Sequence, residues 1–202
     1  MQTCCAVGPL QARQRRVLRV VLGINLAMFV LEFGAGLLAH STALLADSVD
    51  MLGDALVYGF SLYVIARGPA WQARAALLKG GIMAAFAAGV VVEVILKLVR
   101  GVTPDGELMS AVAGLALGAN TSVLVFLWRH RGDDINMGSA WVCSRNDVVA
   151  NAGVLVAAGA VWLWHAAWPD IVVGLAIAGL FAMSGLGVIR QALHARHALV
   201  PG

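Results

Sequence analysis

Two short spacings in this sequence could hold a metal ion. Asp50 and Asp54 stand four residues apart in Leu44-Leu45-Ala46-Asp47-Ser48-Val49-Asp50-Met51-Leu52-Gly53-Asp54, and so do Cys143 and Asp147 in Ser139-Ala140-Trp141-Val142-Cys143-Ser144-Arg145-Asn146-Asp147. On a helix, residues four apart stack on one face, within reach of a common ion. Two such couples from two helices offer four ligands: three carboxylates and a thiolate. That set can make the tetrahedral site that suits Zn²⁺. The sulfur shifts preference towards soft ions such as Cd²⁺ and away from Mg²⁺ or Ca²⁺. Like charges this close oppose mutual ionisation. Metal must displace the thiol and carboxyl protons, so binding strengthens as pH rises. Proton uptake coupled to cation release is then the natural chemistry.

Other polar residues invite blander readings. Asp47 lies seven before Asp54, near the same face and one turn further outward; it is an outer relay or alternative ligand, or else a helix cap or a partner of Arg145. Arg145 sits two after Cys143 and so points to another side of its helix; snorkelling, or pairing with Glu32, Glu93 or Asp47, is its expected role. Asn25 and Glu32, seven apart, share a face and are expected to hydrogen-bond to the second or fifth span, a structural task. Cys4 and Cys5 form a vicinal thiol pair on a terminal tail, where incidental cysteines are as reasonable as metal capture. His194 and His197 read as solvated tail residues. His40, His130 and His165 fall at segment ends.

The elements that must position these groups are membrane spans. Of the 202 residues, 60% are hydrophobic and 12% charged, and the mean hydropathy is +0.85. A soluble domain carries about 25% charged residues, so this chain lacks the polar surface to clothe a globule in water. Runs of about twenty apolar residues recur, each able to cross roughly 30 Å of hydrocarbon. The runs do not alternate, so they read as helices rather than barrel strands. The fold class expected is an all-α integral membrane bundle of six helices: 17–39, 43–66, 75–98, 107–128, 138–163 and 169–189. Residues 1–16 form an N-terminal tail, 17–190 the transmembrane domain, and 191–202 a C-terminal tail. The first apolar run is too long for a cleavable signal core and is followed at once by another span. Three cysteines, Cys4, Cys5 and Cys143, are too few and too badly placed for a disulfide framework, and a net charge of +3 gives little support for nucleic-acid binding.

Basic residues set the orientation. Eleven fall on one side (Arg13, Arg15, Arg16, Arg19, Arg67, Arg74, Lys79, Arg129, Arg131, Arg190, Arg196) and two on the other (Lys97, Arg100). Both termini are therefore expected in the cytoplasm. Trp71, Trp128, Trp162, Trp164 and Trp168 read as interfacial anchors. Asp50 and Asp54 then lie roughly 11–17 Å below the outer end of the second span, and Cys143 and Asp147 roughly 8–14 Å above the inner end of the fifth. Both couples approach the midplane. Six carboxylates lie within the predicted spans (Glu32, Asp47, Asp50, Asp54, Glu93, Asp147). A charge at that depth costs at least about 2.5–3.5 kcal/mol, so each must pair, take up a proton or bind a cation.

The segment from His40 to Asp54, His40-Ser41-Thr42-Ala43-Leu44-Leu45-Ala46-Asp47-Ser48-Val49-Asp50-Met51-Leu52-Gly53-Asp54, resembles the second span of the cation diffusion facilitator family. These are membrane antiporters that exchange Zn²⁺ and related ions for protons. The likeness covers nearly the whole membrane portion. It implies that Asp50, Asp54, Cys143 and Asp147 form the transport site, with Cys143 at a position where the family has His or Asp. That departure leans away from a plain zinc specialist. The chain is similar to short, membrane-only members, so the cytoplasmic C-terminal domain that many members use for metal binding and dimerisation is not expected.

The function expected is efflux of a divalent heavy-metal cation of the Zn/Cd/Co type by metal/proton antiport, not enzyme catalysis. No permanent cofactor is expected; Zn²⁺ or Cd²⁺ is the transported substrate. The partners are the metal ion, protons and the lipid bilayer of a cell membrane, with a bacterial inner membrane suggested by composition. A homodimer through transmembrane helices is admitted by the small residues Gly80, Gly81, Ala84, Ala85, Ala87, Ala88 and Gly89 of the third span. The alternatives are a non-transporting membrane metal sensor or metal-binding subunit, and a membrane-embedded metalloenzyme. Against the enzyme, no separate general base is evident and hydrolytic zinc sites favour histidine.

Overall fold

A computed structural model describes residues 12–64, 69–128, 131 and 135–198. Among them it contains six α-helices and no strand: α1 (Ala12–Leu38), α2 (Thr42–Val64), α3 (Pro69–Arg100), α4 (Gly106–Trp128), α5 (Ile135–Trp164) and α6 (Trp168–Ala198). Each matches one expected span. The differences are systematic: α1, α3, α5 and α6 run several residues past their spans on the face that carries the chain termini. Hydropathy marks the hydrocarbon crossing, whereas a helix continues through polar residues until something breaks it. Arg15, Arg16 and Arg19 are helical, as are Arg190 and Arg196.

The helices end by local chemistry. His40 adopts φ 50° just past α1. Ser41 N–H donates to the Gly36 carbonyl at 2.9 Å and His40 N–H to that of Leu37 at 3.4 Å, a Schellman pair that satisfies carbonyls the helix leaves open. Gly101 (φ 65°) closes α3 by donating to Lys97 O. Asp105 caps α4, its Oδ1 accepting from the amides of Glu107 and Leu108 at 3.0 and 3.1 Å, as N-cap carboxylates do.

Five helices carry a stretch long and apolar enough to cross a bilayer; α2 is the exception, because its three aspartates fall within it. The outward faces of the others are apolar. Val30, Val125, Val149, Val156, Leu180 and Met183 are 63–72% exposed. Water would not tolerate so continuous an apolar surface on a monomer, and lipid would. The protein is a multi-pass membrane bundle.

Three close helix pairs, α1–α2, α4–α5 and α3–α6, assemble around α2, with the α3–α6 pair leaning on α2 and α6 also meeting α5. Gly80 of α3 stands so near Ile189 and the Gly185 carbonyl of α6 that a Cβ there would collide. Part of the small-residue stripe of the third span thus serves packing inside the chain. Buried apolar side chains form the core. Away from the termini it draws on all six helices, including Ala35, Leu44, Val90, Met109, Val154 and Ile177. Towards the termini the buried cluster around Leu18, Tyr58, Leu127 and Cys143 comes from α1, α2, α4 and α5.

Candidate metal site

The two couples stand in equivalent places. Asp50 and Asp54 are eight and twelve residues after Thr42; Cys143 and Asp147 are eight and twelve after Ile135. All four line one cavity of about 540 Å³, which also contacts α3 through Met83 and α6 through Phe181. The fold therefore brings the predicted residues to a common space near the middle of the bundle. Asp54 and Asp147 are 6% and 2% exposed. Tyr58, one turn along α2, donates its hydroxyl to Asp54 Oδ2 at 3.2 Å. Asp147 lies within electrostatic reach of Asp54 and Asp50, and its Oδ2 has no hydrogen-bond partner.

The cavity is shared, but its side chains are not gathered round a point. Among the described residues no three His, Cys, Asp or Glu groups are close enough to hold an ion as they stand. The sulfur of Cys143 is engaged in a disulfide and becomes a ligand only on reduction, since the thiolate is the coordinating form. Cys4, Cys5 and His130 lie outside the described residues, as do the side chains of Trp71, His194 and His197.

Arg145 points to another side of α5 from Cys143, as expected, but its expected pairing with Glu32 or Asp47 and the expected hydrogen bonding of Glu32 are not met. Arg145 is exposed and stays on its own side of α5, over the Trp141 ring at 5.7 Å and beside Asn146 Oδ1 at 3.5 Å; it pairs with neither Glu32 nor Asp47. Asn25 Oδ1 and both oxygens of Glu32 accept no hydrogen bond. The charged groups within electrostatic reach of Glu32 are carboxylates on α2 and α5, which offer it no donor when ionised. Asp47 is fully buried and likewise makes no hydrogen bond through its carboxylate, so it is neither cap nor ion-pair partner.

One cluster escaped the sequence reading. Asp170, in the first turn of α6, is buried and binds the start of α2. Its Oδ1 accepts from Ser41 Oγ at 2.6 Å and Ala43 N at 3.1 Å; its Oδ2 accepts from Thr42 N at 2.8 Å. Lys97 Nζ completes an ion pair with Oδ2 and donates to Thr42 Oγ1 at 3.1 Å. Lys97 had counted as an orientation charge at a helix end, yet it is 3% exposed. The available signal was a lone lysine ending one span and a lone aspartate opening another on the same side. This knot joins α2, α3 and α6 in the half of the bundle away from the termini. Gly174 permits it: a Cβ there would sit 2.7 Å from Thr42 Cγ2 and 2.9 Å from Ala43 N.

Buried carboxylates on two neighbouring helices and a cavity between them are parts a cation carrier needs. The model of the cation efflux transmembrane domain matches residues 18–195, a range that holds all four predicted ligands and the Lys97–Asp170 knot. The chain belongs to the cation efflux family, the cation diffusion facilitators, and is a cation transporter.

Proposed function

We propose that this transporter exports divalent heavy-metal ions of the Zn²⁺, Cd²⁺ and Co²⁺ type in exchange for protons, through a site shared by α2 and α5. Asp50, Asp54, reduced Cys143 and Asp147 are its ligands. The observation that carries the reading is the convergence of two i, i+4 couples on one cavity. Three carboxylates and a thiolate suit a tetrahedral ion with some thiophilic character. An ion shed of water in that setting needs compensating negative charge, and the same groups need protons once it has left.

The transport cycle would load the site from the face that carries the termini. The positive-inside bias makes that face cytoplasmic, in a bacterial inner membrane on compositional grounds. Export then requires the knot of Asp170, Lys97 and the α2 N-terminus to loosen while the terminal half closes, a rigid-body exchange of packed helices. A homodimer would use lipid-facing small residues of α3 such as Gly81, Ala85 and Gly89, which are exposed.

Proteoliposome uptake under reducing conditions, with Zn²⁺, Cd²⁺ and Co²⁺ offered in turn and internal pH recorded, tests this reading. Asp54→Ala should abolish flux; Cys143→His should retain Zn²⁺ and lose Cd²⁺. Undiminished flux in Asp54→Ala would remove the site. An unchanged metal ranking in the histidine variant would remove the thiolate from it.

A further inference from the structure

Glu32 of α1 and Asp47 of α2 are both 0% exposed, and none of their four carboxylate oxygens accepts a hydrogen bond. The chain does not treat all buried acids this way. Asp170, equally buried, is met by a hydroxyl, two amides and an ammonium. Nor is a protein cation at hand. Among the side chains whose burial is described, Lys97 is the single buried basic one, and it is committed to Asp170. The charges within reach of Glu32 and Asp47 are each other, Asp50 and Asp147, all of them carboxylates. Two uncompensated carboxylates in a low-dielectric interior are expensive to keep ionised, and buried polar groups without partners need a specific cause.

Position suggests the cause. Asp47 is five residues into α2, and Glu32 is six residues before the end of α1. Each therefore lies roughly 8–9 Å inside the end away from the termini, at about 1.5 Å per residue. Asp47 is one turn from Asp50 in that direction. The pair occupies the stretch between the central site and the opposite face.

We propose that Glu32 and Asp47 form a second divalent-cation station, reached from Asp50 and Asp54, where a departing ion is held by carboxylate oxygens alone. This rests on the transport reading above. Two carboxylates neutralise one divalent charge, and four unengaged oxygens can coordinate it with water completing the shell. Oxygen donors without sulfur hold Zn²⁺, Co²⁺ or Mn²⁺ less selectively than the thiolate site. The station therefore favours passage over retention, and metal selection stays with Cys143.

Co²⁺ titration of the reduced chain in nanodiscs, with dialysis stoichiometry and visible absorption, tests it. In an Asp54→Asn/Asp147→Asn background one saturable Co²⁺ per chain should remain, with the weak d–d bands of an oxygen-rich site and no sulfur charge-transfer band. Adding Glu32→Gln and Asp47→Asn should remove it. No ion in the first variant would mean the pair carries only protons, and overturns the station. An ion that persists in the second, or one with a sulfur charge-transfer band, overturns it equally. The amide substitutions remove uncompensated charge, so the metal-free variants should melt no lower than the wild type; a clear loss of melting temperature would show that the carboxylates are held by the fold instead. Transport failure is separately visible, as flux surviving Asp54→Ala in vesicles.

Discussion

Replacing Asp170 by asparagine should destabilise the bundle far more than replacing its ion-pair partner. Asp170→Asn leaves the Lys97 ammonium, whose side chain is 1% exposed, without a counter-charge, and weakens the cap on Thr42 and Ala43. Removing one partner from a buried ion pair costs about 3–5 kcal/mol. At about 2–4 °C per kcal/mol for a chain of this size, the melting temperature should fall by roughly 6–20 °C. Lys97→Met is gentler. The carboxylate keeps Ser41 Oγ and the amides of Thr42 and Ala43, and the positive end of the α2 dipole also faces it. Losing one charge-assisted hydrogen bond costs about 1.5–3 kcal/mol. Lys97→Met/Asp170→Asn should fall short of the sum of the singles, because no charge is left stranded. Thermal unfolding in nanodiscs, read by intrinsic tryptophan fluorescence, measures all three. A melting point for Asp170→Asn within two degrees of wild type, or a larger loss in Lys97→Met, would refute the assignment of this knot as the clamp between α2, α3 and α6.

Other outcomes follow from the same geometry. Gly174→Ala should lose about 1–3 kcal/mol through overpacking against backbone at Ala43, whereas Gly179→Ala, with nothing within 4 Å of its Cβ, should melt like wild type. Tyr58→Phe removes the hydroxyl that donates to Asp54; the expected cost is about 1 kcal/mol, with a change in metal affinity of several-fold in a Zn²⁺ titration. Metal binding to the reduced protein should tighten as pH rises, since each ligand that gives up a proton adds to the slope. Isothermal titration in buffers of different ionisation enthalpy counts those protons, and pH-independent binding would contradict carboxylate and thiol ligands.

The membrane character, the six helices and the two i, i+4 couples are legible in the chain because they depend on local spacing. A run of apolar residues satisfies its backbone only as a helix in lipid, and residues four apart share a helical face in any fold. The same logic gave way at Lys97 and Asp170. Hydropathy places both at helix ends, where charges ordinarily meet water or headgroups, and nothing local says that α2, α3 and α6 meet there. Glu32 shows the converse. Its burial was expected, but its lack of a donor depends on what α2 turns towards it. Sequence by itself therefore determined which residues share a face and how deep each lies. Tertiary structure alone decided which faces meet: that Asp50, Asp54, Cys143 and Asp147 line one cavity, that one half of the bundle is clamped by Asp170, and that Glu32 and Asp47 lack a hydrogen-bond donor. Periodicity sets direction along and around a helix, while partnership across helices is fixed by packing between segments far apart in the chain.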